Sequence, residues 1–209
     1  NGGEARQLTT NPAYDYKPVW SPDGKWIYFN ALSECLQALY KTDGQDIVRI
    51  TGEDKWYDFN SPFAIVGTED GTELLASWCS MDFPNELVRI KENDGSCESI
   101  TTENDHILSQ VAPHKTEARM VRTVDGKDML TWVVYPPEFA STKVYPSILI
   151  CLGGPQGTLS QGWSYRWNYR LMSAQGYVVV HPNRRGTTAF GQEWTEQISG
   201  DYPGLNMQD

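Results

Sequence analysis

The chain has 209 residues, enough for one large domain or two small ones with a sizeable hydrophobic core. Its 8 Trp and 11 Tyr argue against intrinsic disorder, and its net charge of −10 argues against a nucleic-acid-binding protein, which needs a basic face. No apolar run approaches the ~18 residues of a membrane-spanning helix, and residues 1–4 have none of the features of a signal peptide.

The four cysteines lie far apart in the sequence and include no Cys-x-x-Cys pair. Their spacing therefore predicts no metal site, assigns no disulfide and leaves the compartment (periplasmic, secreted or cytoplasmic) open. We also expect no cofactor. Cys151 lies in an apolar stretch and is predicted to be a small buried residue. The other three are Cys35, Cys79 and Cys97.

Residues 1–104 have the pattern of short strands separated by turns. Strand-like segments end at Thr9, Thr51 and Thr101, at intervals close to the roughly 40–50 residues of a propeller blade. Asp-Gly pairs lie between the strand candidates, and they favour tight hairpins because both central positions of such a turn need a positive φ. These pairs begin at Asp23, Asp43, Asp70 and Asp94.

The segment Trp-Ser-Pro-Asp-Gly-Lys at residues 20–25 resembles the repeat of TolB-type β-propeller blades. Two such intervals and one leading strand, residues 6–9, are too few to close a propeller of about four to eight blades. We therefore expect residues 1–104 to be the terminal blades of a propeller, folded as antiparallel sheet.

A polar connection follows the last of these strands, and we expect the domain boundary there, with residues 105–114 as the linker. Two strand candidates, residues 119–124 and 129–135, then flank another Asp-Gly pair at Asp125. This arrangement predicts a second-domain hairpin, ended by Pro136 and Pro137.

Residues 146–191 predict a unit in which two parallel strands flank a helix. The apolar runs 147–152 and 177–180 are continuous, as is typical of strands buried on both faces. Between them, large side chains recur at helical spacing and predict a helix that packs in the core and ends at Gly176. That apolar stripe comprises Trp163, Trp167 and Leu171.

The end of the chain predicts one more helix. Residues 192–198 are amphipathic, with Glu193 and Glu196 on the face expected to be solvated. A turn-rich loop at residues 200–204 follows.

Several motifs come in a fixed order: Gly-Gly-Pro at 153–155, Gly-Tyr-Val-Val-Val at 176–180, Asn-Arg-Arg-Gly at 183–186, Phe-Gly at 190–191 and Ile-Ser-Gly-Asp-Tyr at 198–202. With the upstream repeats, this order resembles the prolyl oligopeptidase family of serine peptidases, and most closely its dipeptidyl-peptidase and acylaminoacyl-peptidase branch. The resemblance implies all-β propeller blades followed by an incomplete α/β-hydrolase domain, whose sheet is mostly parallel and doubly wound. The implied domains are blades at 1–104, a linker at 105–114 and the N-terminal half of the hydrolase domain at 115–209.

Hydrolases of this class need a nucleophile in Gly-x-Ser-x-Gly, followed in the chain by an acid and a histidine. The nearest candidate, Ser164, lacks the closing glycine and is expected to be a helix-capping serine instead. The three histidines, His106, His114 and His181, do not follow an acid in the required order. We therefore expect the nucleophile, acid and base to lie outside this chain, which alone should be inactive.

The family resemblance also implies that this chain contains one part of an acyl-transfer site. In family members with His-Gly-Gly-Pro, the second glycine's backbone N–H binds the oxyanion, which implies this role for Gly154, with Gly153 supporting the loop. Leu152 departs from the polar residue of many relatives and has no side-chain donor. The alternative is that these glycines only form a turn. Arg184 and Arg185 could contact anions, but a structural role is favoured.

The family resemblance implies a peptidase that hydrolyses short peptides by acyl transfer, as an exopeptidase or oligopeptidase. Its expected partners are a short peptide substrate and the remainder of the parent polypeptide, with no nucleic acid or membrane span and with oligomers possible. Two alternatives stay open: a catalytically dead propeller and hydrolase binding module, and a carboxylesterase. Substrate preference, including any preference for proline, does not follow from the sequence.

Overall fold

A computed structural model describes residues 2–51, 57–60, 62, 64–69 and 71–209. Over these residues the chain forms three β-sheets and a few short helices. The first sheet is antiparallel, with the strands in chain order. Its strands are β1 (Tyr14–Trp20), β2 (Ile27–Ser33), β3 (Leu36–Thr42) and β4 (Ile47–Arg49).

The second sheet is also antiparallel and has five strands in the order β5-β7-β8-β9, with β6 paired to β7. Along β8 the residues alternate between buried and exposed, as expected of a strand with one face on a core. The strands are β5 (Asp58–Phe59), β6 (Ala64–Thr68), β7 (Gly71–Ser80), β8 (Phe83–Lys91) and β9 (Cys97–Ser99).

These two sheets share one hydrophobic core, built by side chains that face each other across the sheets. Tyr28 and Leu39 come from the first sheet, and Leu74, Val88 and Ile90 from the second, all of them buried. Burying one such side chain stabilises the fold by about 1.5–3 kcal/mol, so this cluster accounts for much of the stability of residues 14–99.

The predicted antiparallel organisation of residues 1–104 is confirmed, and so are three of the Asp-Gly turns. Gly24, Gly44 and Gly95 have φ values of +70°, +89° and +66° in the turns that join consecutive strands. Asp70, predicted to begin a fourth turn, lies outside the described residues. The leading strand predicted at residues 6–9 is wrong: this segment forms no strand, and Arg6 donates a hydrogen bond to the Gly44 carbonyl instead.

A short helix, α1 (Asp105–Leu108), lies in the connection to the third sheet. That sheet has the order β10-β11-β13-β12, and only β12 and β13 run parallel. The second helix, α2, packs against β11 and β13. The elements are β10 (Thr116–Arg122), β11 (Asp128–Val134), β12 (Ser147–Leu149), α2 (Tyr169–Ala174), β13 (Val178–Pro182), α3 (Gly191–Glu196) and a 3-10 turn (Leu205–Met207).

The parallel pairing of β12 with β13 and the β10–β11 hairpin were both predicted correctly. The expectation of a mostly parallel sheet is wrong for this part of the chain, because the hairpin and the β11–β13 pairing are antiparallel. Strand β12 is also shorter than predicted and ends at Leu149. As a result Cys151 lies beyond the strand and is exposed, rather than buried as predicted.

The helix before β13 is shorter than the apolar spacing predicted. It begins after Asn168, whose side chain caps it by accepting the Leu171 N–H at 3.1 Å. Trp163 and Trp167 therefore precede the helix, and Trp167 and Leu171 are 56% and 66% exposed instead of in the core. The predicted stop is confirmed, since Gly176 has φ +90° directly after the helix.

The third helix agrees with its prediction. Trp194 is buried on one face of α3, while Glu193 and Glu196 are exposed on the other. Among the described residues, no helix is long and apolar enough to cross a membrane.

Burial shifts the pKa values of two ionisable side chains in opposite directions. Asp58, on β5, accepts hydrogen bonds from the Ser160 hydroxyl (2.5 Å) and the Gln37 N–H (2.9 Å), yet burial raises its pKa from 3.8 to about 6. His181, on β13, lies edge-on to the Tyr169 ring at 3.8 Å, and burial lowers its pKa from 6.5 to about 4. In both cases burial shifts the equilibrium toward the uncharged form.

These shifts predict opposing pH dependences of stability. The contribution of Asp58 is fully present below pH 3.8 and is lost as the pH rises to about 6, whereas that of His181 is fully present above pH 6.5 and is lost as the pH falls to about 4. Asp58→Asn removes the first effect. From pH 4 to 6.5, the free energy of unfolding of this variant should therefore rise relative to the wild type by up to about 3 kcal/mol.

Urea unfolding at a series of pH values measures this difference, with the exposed Asp46→Asn as the matched control. A D58N variant whose stability follows the wild type at every pH would contradict the assignment.

Candidate functional site

The loop at residues 153–157 follows β12 at the carboxyl end of the strand, the edge at which parallel sheets bind ligands. Gly153 and Gly154 are both exposed on its surface. Gly154 has φ +135°, and a Cβ added there would lie 3.3 Å from the backbone nitrogen of Gln156. The loop therefore requires glycine at this position and presents the main chain of its two glycines to the solvent.

Arg184 binds the main chain on either side of the two glycines. Its Nη2 donates to the Leu152 carbonyl at 2.9 Å, and both Nη1 and Nη2 lie 3.2 Å from the Pro155 carbonyl oxygen. One guanidinium thus bridges the two carbonyls that flank Gly153 and Gly154. The structural role favoured from the sequence for this arginine is confirmed.

The chain after the loop is fixed by a second set of hydrogen bonds. The Leu159 N–H donates to Asn183 Oδ1 at 2.9 Å, while Asn183 Nδ2 and Trp132 Nε1 donate to the Leu159 carbonyl at 3.1 and 3.0 Å. Next along the chain, the Ser160 hydroxyl donates to Asp58 of the second sheet. Asp58, Trp132 and Asn183, from three different parts of the chain, therefore converge on the residues that follow the loop.

Arg185 is buried between two carboxylates. Its Nε and Nη2 donate to Asp209 at 2.7 and 2.8 Å, and Nη2 and Nη1 donate to Asp125 at 2.8 and 3.3 Å. The side chains of Arg185 and Asp209 are only 3% and 1% exposed. The hydrogen bonds from Arg185 hold the pKa of Asp125 well below its usual range and raise the pKa of the guanidinium.

Trp194 and Gly186 complete the turn that carries both arginines. Trp194 Nε1 donates to the Arg184 carbonyl at 3.1 Å, and its ring lies under the Arg185 guanidinium. Gly186 has φ +95°, and a Cβ there would approach Ile198 and the Arg184 guanidinium to 3.0 Å. A side chain at position 186 would therefore push the guanidinium away from the loop.

An apolar cleft of about 380 Å³ opens beside the loop. Leu149, Leu152 and Tyr202 line it, together with Arg184 and Asn206. The Asn206 side chain is buried and has no hydrogen-bond partner in the described part of the chain. An exposed main-chain loop beside an apolar cleft is suited to binding a carbonyl group whose substituent is apolar.

The Ser164 hydroxyl accepts the Trp167 N–H at 2.9 Å, a local turn bond, and among the described residues it has no histidine partner. The helix-capping role expected for Ser164 is wrong, because α2 begins after Asn168. His114 Nε2 lies 2.8 Å from Asp82, and His181 is buried under Tyr169. No group of three or more metal-ligating side chains occurs within the described ranges.

Sequence reasoning missed the contacts that build this site. It assigned Asp125 only to a hairpin turn and Arg184 only to a general structural role. The signal available was the Asn-Arg-Arg-Gly motif, whose two cations required partners that the sequence does not identify. Asp58 also gave no signal, because its partner Ser160 lies 102 residues away.

Comparison with known proteins gives a consistent result. Residues 163–209 match the family model described as the prolyl oligopeptidase family. The chain is 44% identical over 210 residues to dipeptidyl-peptidase 5 of Porphyromonas gingivalis, a match that covers 98% of this chain and 30% of that protein.

Two solved peptidases are similar in fold. Pyrococcus horikoshii acylaminoacyl peptidase matches with a TM-score of 0.77 at 19% identity, over 95% of this chain and 30% of the other. Porphyromonas gingivalis dipeptidyl peptidase 4 matches with a TM-score of 0.68 at 16% identity, over 94% of this chain and 28% of the other. The chain thus spans less than a third of the length of the relatives it matches.

The buried ion group predicts a large effect of one substitution on stability. Arg185→Met leaves the Asp209 carboxylate buried without its partner, so we expect the free energy of unfolding to fall by about 3–5 kcal/mol. The matched control is Arg122→Ala, which removes a 71% exposed arginine that pairs with Asp128 and should cost less than about 1 kcal/mol. Urea unfolding measures both; equal effects would contradict the burial argument.

Proposed function

Because the chain belongs to the prolyl oligopeptidase family, we propose that it forms part of a longer serine peptidase that hydrolyses short peptides. The observation that carries this proposal is the loop at residues 153–157, whose glycine backbone is exposed beside an apolar cleft. The 44% identity to a dipeptidyl-peptidase 5 supports the same reaction class and favours a peptide substrate over an ester.

The proposed architecture assigns the two antiparallel sheets of residues 1–104 to blades of a β-propeller. Residues 105–114 are then the linker, and residues 115–209 are the first half of an α/β-hydrolase domain. Support comes from the first core, whose residues all lie in the first half of the chain, and from the fold similarity to two peptidases. The nucleophile, acid and base are assigned to the part of the longer polypeptide that this chain does not include.

In the proposed reaction, the Gly154 N–H donates a hydrogen bond to the oxygen of the tetrahedral intermediate. The negative charge on this oxygen develops only as the nucleophile attacks. A hydrogen-bond donor aimed at it therefore stabilises the transition state more than the bound substrate, and the activation barrier falls. Gly153 lets the main chain approach the substrate without a side chain in the way. Leu152 has no donor, so the backbone carries this role without help from that side chain.

The proposal predicts activity for the longer polypeptide and none for this chain. Purified full-length protein should release a chromophore from dipeptidyl amides and bind one equivalent of a serine-directed phosphonate at a residue outside positions 1–209. The isolated chain should do neither, because it lacks the nucleophile.

A Ser164→Ala variant of the full-length protein is the matched control and should keep full activity and labelling. Labelling at Ser164 would overturn the assignment. Labelling with hydrolysis of esters but not amides would indicate the carboxylesterase, and an inactive, unlabelled full-length protein would indicate a binding module.

A further inference from the structure

We propose that Arg184 is a positioning residue for the loop that carries the oxyanion donor, a role that rests on the function proposed above. The observation is that one guanidinium binds the carbonyls on both sides of Gly153 and Gly154. Fixing Leu152 and Pro155 in this way limits the directions in which the intervening N–H groups can point.

The shape of the side chain suits this task. A guanidinium is planar and presents its donors in a rigid fork, so two carbonyls bound to it keep a fixed separation. A bond to a third carbonyl, from Arg184 Nη1 to the Arg185 oxygen at 2.8 Å, anchors the fork to its own turn. Two glycines in sequence are otherwise the most flexible main chain available, so an external restraint has a large effect on them.

The turn that carries Arg184 is itself held rigidly. Arg185, the next residue, is buried between Asp125 and Asp209, and the Trp194 indole donates to the Arg184 carbonyl. The position of the guanidinium is therefore set by buried contacts instead of by solvent. A weaker tie supports the far side of the loop, where Gln156 Nε2 donates to the Thr195 carbonyl at 3.1 Å.

The positive charge of Arg184 acts in addition to its hydrogen bonds. In the part of the chain that the structure describes, no carboxylate lies within 4.0 Å of Arg184, unlike Arg185. Its guanidinium therefore lies close to the loop without a salt bridge to a described residue. Such a charge favours the negative oxygen that forms during acyl transfer more than the neutral carbonyl of the substrate.

The experiment uses the full-length polypeptide and four variants: R184M, R184A, R184K and the control R122A. Arg122 also donates to a backbone carbonyl, that of Gly126 at 2.7 Å in the β10–β11 turn, but it has no hydrogen bond to the loop at residues 153–157 among the described contacts. For R184M we expect kcat on a dipeptidyl amide to fall about 100-fold, as for a donor misplaced by about 1 Å. KM should change less than about threefold, because the lost interaction acts in the transition state.

The other variants separate positioning from folding. R184K keeps the charge but not the fork, so its kcat should lie between those of wild type and R184M. Guanidinium ion at millimolar concentration should restore part of the activity of R184A. R122A should keep the wild-type kcat. An R184M enzyme with wild-type kcat, or a loss explained by a reduced folded fraction in thermal unfolding, overturns the inference.

A crystal structure of R184M gives a readout that does not depend on activity. We expect the loop at residues 153–157 to move by more than about 0.5 Å, the tolerance of a catalytic site. An unmoved loop overturns the positioning role even if the wild-type enzyme is active. If the wild-type polypeptide is inactive, the proposed function fails, and the loop displacement alone decides whether Arg184 positions the two glycines.

Discussion

The site depends on the buried ion group formed by Arg185 with Asp125 and Asp209. A buried guanidinium is tolerated only when carboxylates compensate its charge. The folded chain therefore has to bring Asp125 and Asp209 to Arg185. Asp125 comes from the β10–β11 turn and Arg185 from the turn after β13. Their pairing therefore fixes that second turn against the sheet, and Arg184 projects from it toward the Gly-Gly-Pro loop.

The second constraint joins the loop to the first half of the chain. Asp58 on β5 accepts a hydrogen bond from Ser160, only a few residues after the glycines, and Asn183 pairs with the Leu159 main chain. The loop thus has one support from its own sheet and one from the preceding sheets. A change in the packing of β5 would alter the hydrogen bond between Asp58 and Ser160 and, through it, the position of the proposed oxyanion donor. This hydrogen bond links the proposed propeller part to the proposed catalytic site.

Local patterns were sufficient to predict many of the strands, most hairpins and the parallel β12–β13 pair, because Asp-Gly turns and apolar runs act over a few residues. Burial was predicted less well. Trp167, Leu171 and Cys151 are residue types common in cores, but they are exposed because nothing in the described part of the chain covers them. The supports of the site were not predictable, because Arg184 reaches carbonyls about 30 residues away and the sequence does not encode which carbonyls those are.

The central claim is that the Gly-Gly-Pro loop of this prolyl oligopeptidase family member holds the oxyanion donor. The most direct measurement is a crystal structure of the full-length protein with a phosphonate or boronate bound covalently to its nucleophile. We expect one oxygen of the tetrahedral adduct to lie about 2.7–3.1 Å from the Gly154 nitrogen, with Arg184 still bound to the Leu152 and Pro155 carbonyls. An adduct oxygen bound by other donors, with Gly154 facing away from it, would contradict the account.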